Sequence, residues 1–253
     1  MMLWRLVLFL CLTALPLRAE EVVLGLSRDK VAITATFEGS EILIFGAVKR
    51  ESPISEVPLD VVITVAGPST PLTVRRKDRR FGIWVNTEMV VLDAAPSFYA
   101  VATTGPLDAV LSDTEDLRHR VSIPRAIRSV GAASMARDAE RFTEALIRIR
   151  RDQGAYFVRE GAVALDQQTL FRGAVQLPAN LTEGEYVTRI FLTREGRVVS
   201  QLETTINVHK VGLERWLYTL SRQQPLVYGL MSLAIAIAAG WLASAAFQVM
   251  RRG

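Results

Sequence analysis

A chain of 253 residues that is 50% hydrophobic and 22% charged has enough apolar content for one large domain or two small ones plus a membrane anchor, and this excludes a disordered chain. The net charge of +4 comes from arginine, which outnumbers lysine 26 to 4, and a skew of that kind also follows from genomic composition. The single cysteine, Cys11, lies in a leader-like segment, so a chain that loses this segment has no thiol for disulfides, zinc-thiolate sites or nucleophilic catalysis.

Residues 1–19 have the layout of a secretory signal: Arg5, an apolar run from Leu6 to Leu15, the helix-breaking Pro16, and Ala19 ahead of Glu20. The run is too short for a hydrocarbon core of about 30 Å, which takes roughly 20 apolar residues. Cleavage after Ala19 is the expectation.

From Val22 to Thr104 apolar residues alternate, as in Val31-Ile33-Ala35-Phe37 and Leu59-Val61-Ile63-Val65, the period of half-buried strands. Turn residues punctuate the runs at Glu38-Gly39-Ser40, Ser52-Pro53, Gly67-Pro68 and Gly105-Pro106, with no helical pattern between them. The expectation for 20–105 is an antiparallel, immunoglobulin-like β-sandwich. Within it, Arg75, Arg76, Lys77, Arg79 and Arg80 place five bases in six positions ahead of Phe81-Gly82-Ile83-Trp84-Val85-Asn86. Clustered arginines can hold an oxyanion bidentately or dock a partner, while a charged, soluble hairpin tip is the plainer reading.

Over 106–153 the period changes. Met135, Ala139, Phe142, Leu146 and Ile149 recur at helical steps, with Ser134 as N-cap and Gly154 as stop, and predict a helical segment with one apolar stripe. Residues 118–151 hold nine arginines against Asp138, Glu140 and Glu144, a basic excess that could face anionic headgroups or an acidic partner, or spread over wet helix faces. The strand period returns over 154–210, the second β unit. There Leu181 to Tyr186 resembles a tyrosine corner, Arg194 to Arg197 suits a hairpin turn, and 198–209 alternates cleanly.

Leu213, Trp216, Leu217 and Leu220 at helical spacing make 211–224 an interfacial helix. Pro225 to Met250 carries no charge and is followed by Arg251 and Arg252, so 225–250 is read as a transmembrane helix and 251–253 as a cytoplasmic tail under the positive-inside rule. The implied protein is a single-pass inner-membrane protein with its bulk in the periplasm. Ser232, Ala236, Gly240 and Ser244 fall on one ridge of that helix, the small-residue pattern that lets two helix backbones approach closely.

The search for catalytic chemistry returns negatives. His119 and His209 stand far apart with no metal-ligand spacing, and no G-x-S-x-G elbow, phosphate loop or dinucleotide turn is present. The expectation is no metal, no cofactor and no enzymatic activity, and an exported domain would not meet nucleic acid.

The stretches Phe45-Gly46-Ala47, Gly82 to Glu88, Pro96 to Ala100, Leu177 to Asn180, Gly184-Glu185-Tyr186, and Tyr228-Gly229 through Gly240-Trp241 carry a resemblance over the whole chain. The chain resembles an alphaproteobacterial family of single-pass transmembrane proteins. The resemblance implies an export signal, a C-terminal span and frequent genomic neighbourhood with sulfite-exporter-type permeases, and it implies no catalytic residues. The resulting expectation is a membrane-anchored accessory or interaction protein for an anion permease, sulfite- or sulfonate-type, which could also pair with a second copy through its membrane helix. A membrane-tethered envelope enzyme and a structural scaffold module are the alternatives.

Overall fold

The computed structural model describes residues 21–27, 30–33, 39–50, 53–54, 56–129, 139–210 and 213–252. Of these, 21–31 and 39–208 belong to one compact unit, and 32–33 with 209–252 to a second. The signal expected over 1–19, the Ser134 cap, and Met135, Ala35 and Phe37 lie outside the described residues.

The chain is mainly β. Its strands are β1 (Glu21–Leu26), β2 (Lys30–Ile33), β3 (Ser40–Lys49), β4 (Asp60–Ala66), β5 (Ser69–Arg80), β6 (Ile83–Pro96) and β7 (Tyr99–Thr103). The helices α1 (Leu107–Val110), α2 (Asp113–His119), α3 (Ile123–Ala126) and α4 (Ala139–Asp152) follow. Then come β8 (Tyr156–Arg159), β9 (Val163–Asp166), β10 (Leu170–Leu177), β11 (Gly184–Arg194) and β12 (Arg197–Lys210).

Strand pairing joins the segments on either side of the helical stretch. One sheet runs β1-β3-β10-β9, a second runs β2-β12-β11-β4-β7-β8, and β5-β6 form a separate ribbon. Segments 20–105 and 154–210 therefore share both larger sheets, with β3 paired to β10 and β4 to β11.

Nor is the arrangement wholly antiparallel, as an immunoglobulin-like sandwich would be. Strands β7 and β8 are parallel neighbours, and a parallel pair needs a crossover connection of a dozen or more residues. The connection between them, which carries α1 to α4, is that crossover.

The centre of the second sheet is buried on both faces. Val61, Ile63 and Val65 of β4 are covered on one side and Val62 and Thr64 on the other, so the alternation in Leu59-Val61-Ile63-Val65 marks only one of its two buried faces. Ile63 reaches toward Gly173 of the first sheet. On the opposite face, Val62, Tyr99, Val101 and Phe191 join Val90 and Leu92 of β6, Val121, Ile123, and Phe142, Leu146 and Ile147 of α4 in one core. Nearer the β2 edge, β12 keeps the one-sided pattern, with Ile206 and Val208 buried and Glu203, Thr205 and Asn207 exposed.

Local signals explain several of these elements. Gly154 at φ +69 ends α4 with paired bonds from its N–H to Arg151 O and from Ala155 N to Arg150 O, closing the last carbonyls of the helix. The α4 stripe is slightly rotated from its expected position: Phe142, Leu146 and Ile147 are buried and Ile149 is exposed. Glu195 and Gly196, both at positive φ, make the two-residue β11–β12 turn. Tyr186 is buried and donates its hydroxyl to Thr182 O at 2.9 Å, the contact a tyrosine corner makes.

In the second unit, α5 (Leu213–Gln223) and α6 (Pro225–Arg252) are separate helices. Gln224 between them donates to Leu220 O and accepts from Tyr228 N, so helical hydrogen bonding passes through the junction at Pro225, whose missing N–H leaves no donor unpaired.

Candidate interaction surface on a long β-hairpin

The five bases singled out in the sequence lie along β5 and run up to its turn with β6. The ribbon turns at Phe81 and Gly82, with φ of 50° and 84°, between the closing pair Arg80 and Ile83. Both turn residues take positive φ, as a two-residue hairpin loop with the twist of its strands requires. Glycine adopts this conformation freely, whereas a bulky side chain there is strained.

The base of the ribbon is part of the core, through Val90, Leu92 and Ala95 with Leu72 and Val74 packed beside them. Ala94 and Arg128 exchange backbone hydrogen bonds and stitch β6 to the crossover segment. Arg76 marks where the buried part ends. Its Nη1 pairs with Glu88 at 2.9 Å, and its guanidinium lies 5.1 Å from the centre of the Phe142 ring on α4.

Register divides the bases between two faces. Cross-strand partners share a face, and a bulge at Thr87 separates the pair Lys77–Asn86 from the pair Arg76–Glu88. One face carries Val74, Arg76, Asp78 and Arg80 with Ile83, Val85, Glu88 and Val90. Its bases are balanced by acids: Arg76 by Glu88, and Arg80 by Asp78 at 3.9 Å.

The other face carries Arg75, Lys77 and Arg79 beside Met89, Asn86 and Trp84, and over 75–80 and 83–89 it holds no acid. Among the described residues Arg75 and Lys77 make no ion pair, and Arg79 Nε reaches only Gly82 O at 3.4 Å. On this face Trp84 is 68% exposed and Met89 60%, and at the tip Phe81 is 105% exposed and Ile83, on the opposite face, 64%.

The five bases therefore do not converge on one anion. Three uncompensated charges alternate with aromatic and apolar groups on one face and at the tip. The linear charge count carried no sign of this; the period of two through 75–80 separates the bases, and the bulge at Thr87 moves Glu88 off the face of Trp84.

Other polar clusters have structural partners. Arg189 donates to the carbonyls of His119 and Arg120 at the end of α2 and to the Tyr99 hydroxyl. Glu115, buried on α2, pairs with Arg118 at 2.6 Å and contacts His119. Burial raises the Tyr99 phenol above its ordinary value, against the opposing pull of Arg189, and pushes the Tyr156 phenol up to about 12. Among the described residues no three His, Cys, Asp or Glu side chains gather in a metal-ligating group.

In the second unit, Pro225–Ser244 of α6 has a mean hydropathy of 2.0 and is covered by nothing in the described structure. Ser232, Ala236, Gly240 and Ser244 are all exposed, and a Cβ at Gly240 would meet nothing within 4 Å. On α5, Trp216 and Tyr218 are exposed and the Arg222 guanidinium sits 5.7 Å from the Tyr218 ring centre.

The sequence profile of the family described as "Putative transmembrane protein (Alph_Pro_TM)" matches residues 21–249. No curated protein matches the chain. Among solved structures, the sporulation control protein Spo0M from Bacillus subtilis aligns at 11% identity with a TM-score of 0.29, over 82% of this chain and 56% of its own length.

Proposed function

The chain belongs to the Alph_Pro_TM family of transmembrane proteins, and from that premise we propose that it is a membrane-anchored accessory subunit that binds other membrane components and catalyses nothing itself. The observation that carries this reading is α6, whose Pro225–Ser244 stretch is long enough and apolar enough to cross a bilayer and is left uncovered.

The export signal read over 1–19 and the arginines at 251 and 252 support an inner-membrane orientation with the β body in the periplasm and the C-terminus in the cytoplasm. The proposed partner is a multi-spanning anion permease of the sulfite-exporter type, in keeping with the genomic neighbourhood implied by the resemblance. Contact would run along the ridge of Ser232, Ala236, Gly240 and Ser244, because lipid packs as well as a protein against leucine but only another helix gains from a row of small residues.

The test is affinity purification in mild detergent of the full-length protein beside a variant with all four ridge residues replaced by leucine. A permease that co-purifies with the native chain and is lost from the variant supports the proposal. Recovery of the same permease with both forms removes the ridge, and recovery of no membrane protein with either removes the accessory role.

A further inference from the structure

We propose that the outer end of the β5–β6 hairpin is a second membrane contact, a lipid-binding tip that seats Phe81, Ile83 and Trp84 among the headgroups of an anionic leaflet while Arg75, Lys77 and Arg79 bind lipid phosphates. The inference rests on the membrane-anchored reading above.

Four observations carry it. The first is Phe81: a phenylalanine at φ 50° in a turn position that favours glycine or asparagine, and fully exposed, contributes nothing to the fold that a small polar residue would not improve. The second is composition, since Trp84 and Ile83 flank it, and amphipathic aromatics settle at the headgroup level of a bilayer.

Charge complementarity is the third. Over 75–80 and 83–89 the face that holds Trp84 has three bases and no acid, whereas on the opposite face Glu88 and Asp78 answer Arg76 and Arg80. In the outer part of the ribbon, beyond Arg75 and Met89, the acids are thus confined to one side, and the other is left to attract anions. Bases set just behind exposed apolar groups match the order in which a bilayer presents its layers to an inserting tip, phosphates outside acyl chains.

The fourth is support from below. Beyond Arg76 the ribbon leaves the core, but it is held at its root by the Glu88 pair, by the stacking on Phe142 and by the Ala94–Arg128 bonds. The tip is presented on a fixed stalk. A chain tethered by α6 also meets lipid at high effective concentration, so a weak contact is enough to be occupied.

Free inorganic anion is the poorer occupant, because it would use the bases and leave Phe81, Ile83 and Trp84 in water. An acidic protein surface would satisfy the charges, and the experiment separates it from lipid by containing no other protein.

The full chain with Trp84 as sole tryptophan (Trp4→Phe, Trp216→Phe, Trp241→Phe) is reconstituted in vesicles of phosphatidylcholine with or without phosphatidylglycerol, the acyl chains carrying bromine as a short-range quencher. Trp84 emission is expected to shift to the blue and be quenched by brominated lipid when phosphatidylglycerol is present. High salt, the triple variant Arg75→Glu/Lys77→Glu/Arg79→Glu and the single variant Phe81→Asp are each expected to abolish the quenching. The milder Arg75→Gln/Lys77→Gln/Arg79→Gln, with near-ultraviolet circular dichroism to verify folding, guards against loss of structure in the charge-reversed form.

Trp84 that stays open to aqueous acrylamide and unaffected by bromine overturns the proposal, as does equal quenching in vesicles of phosphatidylcholine alone. Flotation of the same vesicles distinguishes the two readings. A chain that floats with Trp84 unquenched loses only the hairpin contact, and a chain that does not float loses the anchor and this inference with it.

Discussion

Tyr156 donates its hydroxyl to Pro96 O from a site where it is 1% exposed, and burial lifts its phenol from 10.0 to about 12. The folded chain therefore holds this proton more tightly than the unfolded chain does, so the contribution to stability is complete below pH 10 and is lost as pH climbs through the folded value. Melting temperature should fall across that alkaline window, and Tyr156→Phe should flatten the fall while lowering stability at neutral pH by about 1 kcal/mol for the lost bond. At the tyrosine corner, Tyr186→Phe keeps the ring and removes the bond to Thr182 O. A loss of about 1 kcal/mol is expected there too, read in a thermal melt as a drop of roughly 2–4 °C. Gly46 tests packing in the opposite direction. A Cβ there would stand 2.5 Å from both Val23 O and the Phe171 ring, so Gly46→Ala should cost about 1–3 kcal/mol in denaturant unfolding as β1, β3 and β10 are forced apart.

At the scale of elements, α4 and the hairpin root depend on each other. Phe142 is 3% exposed, fills the core between α4 and β6, and carries the Arg76 guanidinium on its ring. Phe142→Ala should cost about 3–5 kcal/mol and speed hydrogen exchange at the hairpin root. Ile149 sits on the same helix in the stripe that periodicity predicts, yet it is exposed, and Ile149→Ala should stay within about 0.5 kcal/mol. Helix type and end were legible, since Gly154 and the 3.6 period mark them locally. Which flank of the stripe is buried was not, because that depends on where β6 and β7 lie, and no local signal records it. The hairpin follows the same rule. Alternation through 75–80 and 83–89 is present in the sequence, but the turn at Phe81 and the bulge at Thr87 set which bases share a face with Trp84.

For the whole molecule, removal of 225–253 should release the β body from the membrane fraction of cells, and retention in that fraction would transfer the attachment to another element. The two expected β segments are β, and local residues left open whether they form one body; their strands share both larger sheets. Val61 to Val65 reads as strand from its own residues, and nothing in it names β11, more than a hundred residues later, as the partner it pairs with. Likewise helical periodicity marks the segment after β7 as helix, and only the structure makes the connection the crossover that lets β7 and β8 run parallel in one sheet.

What the sequence determined by itself is whatever is encoded by neighbours along the chain. This covers the uncharged span at the C-terminal end, the strand and helix periods, the glycine turns, the tyrosine corner and the density of bases on one ribbon. All of these depend on side-chain order within a few residues, where backbone geometry and transfer to an apolar phase act locally. Only the tertiary structure decided the strand order, the double burial of β4, and the division of the hairpin bases into an acid-balanced face and an uncompensated one. Those outcomes depend on long-range pairing and register, in which a shift of one residue turns every side chain to the other face.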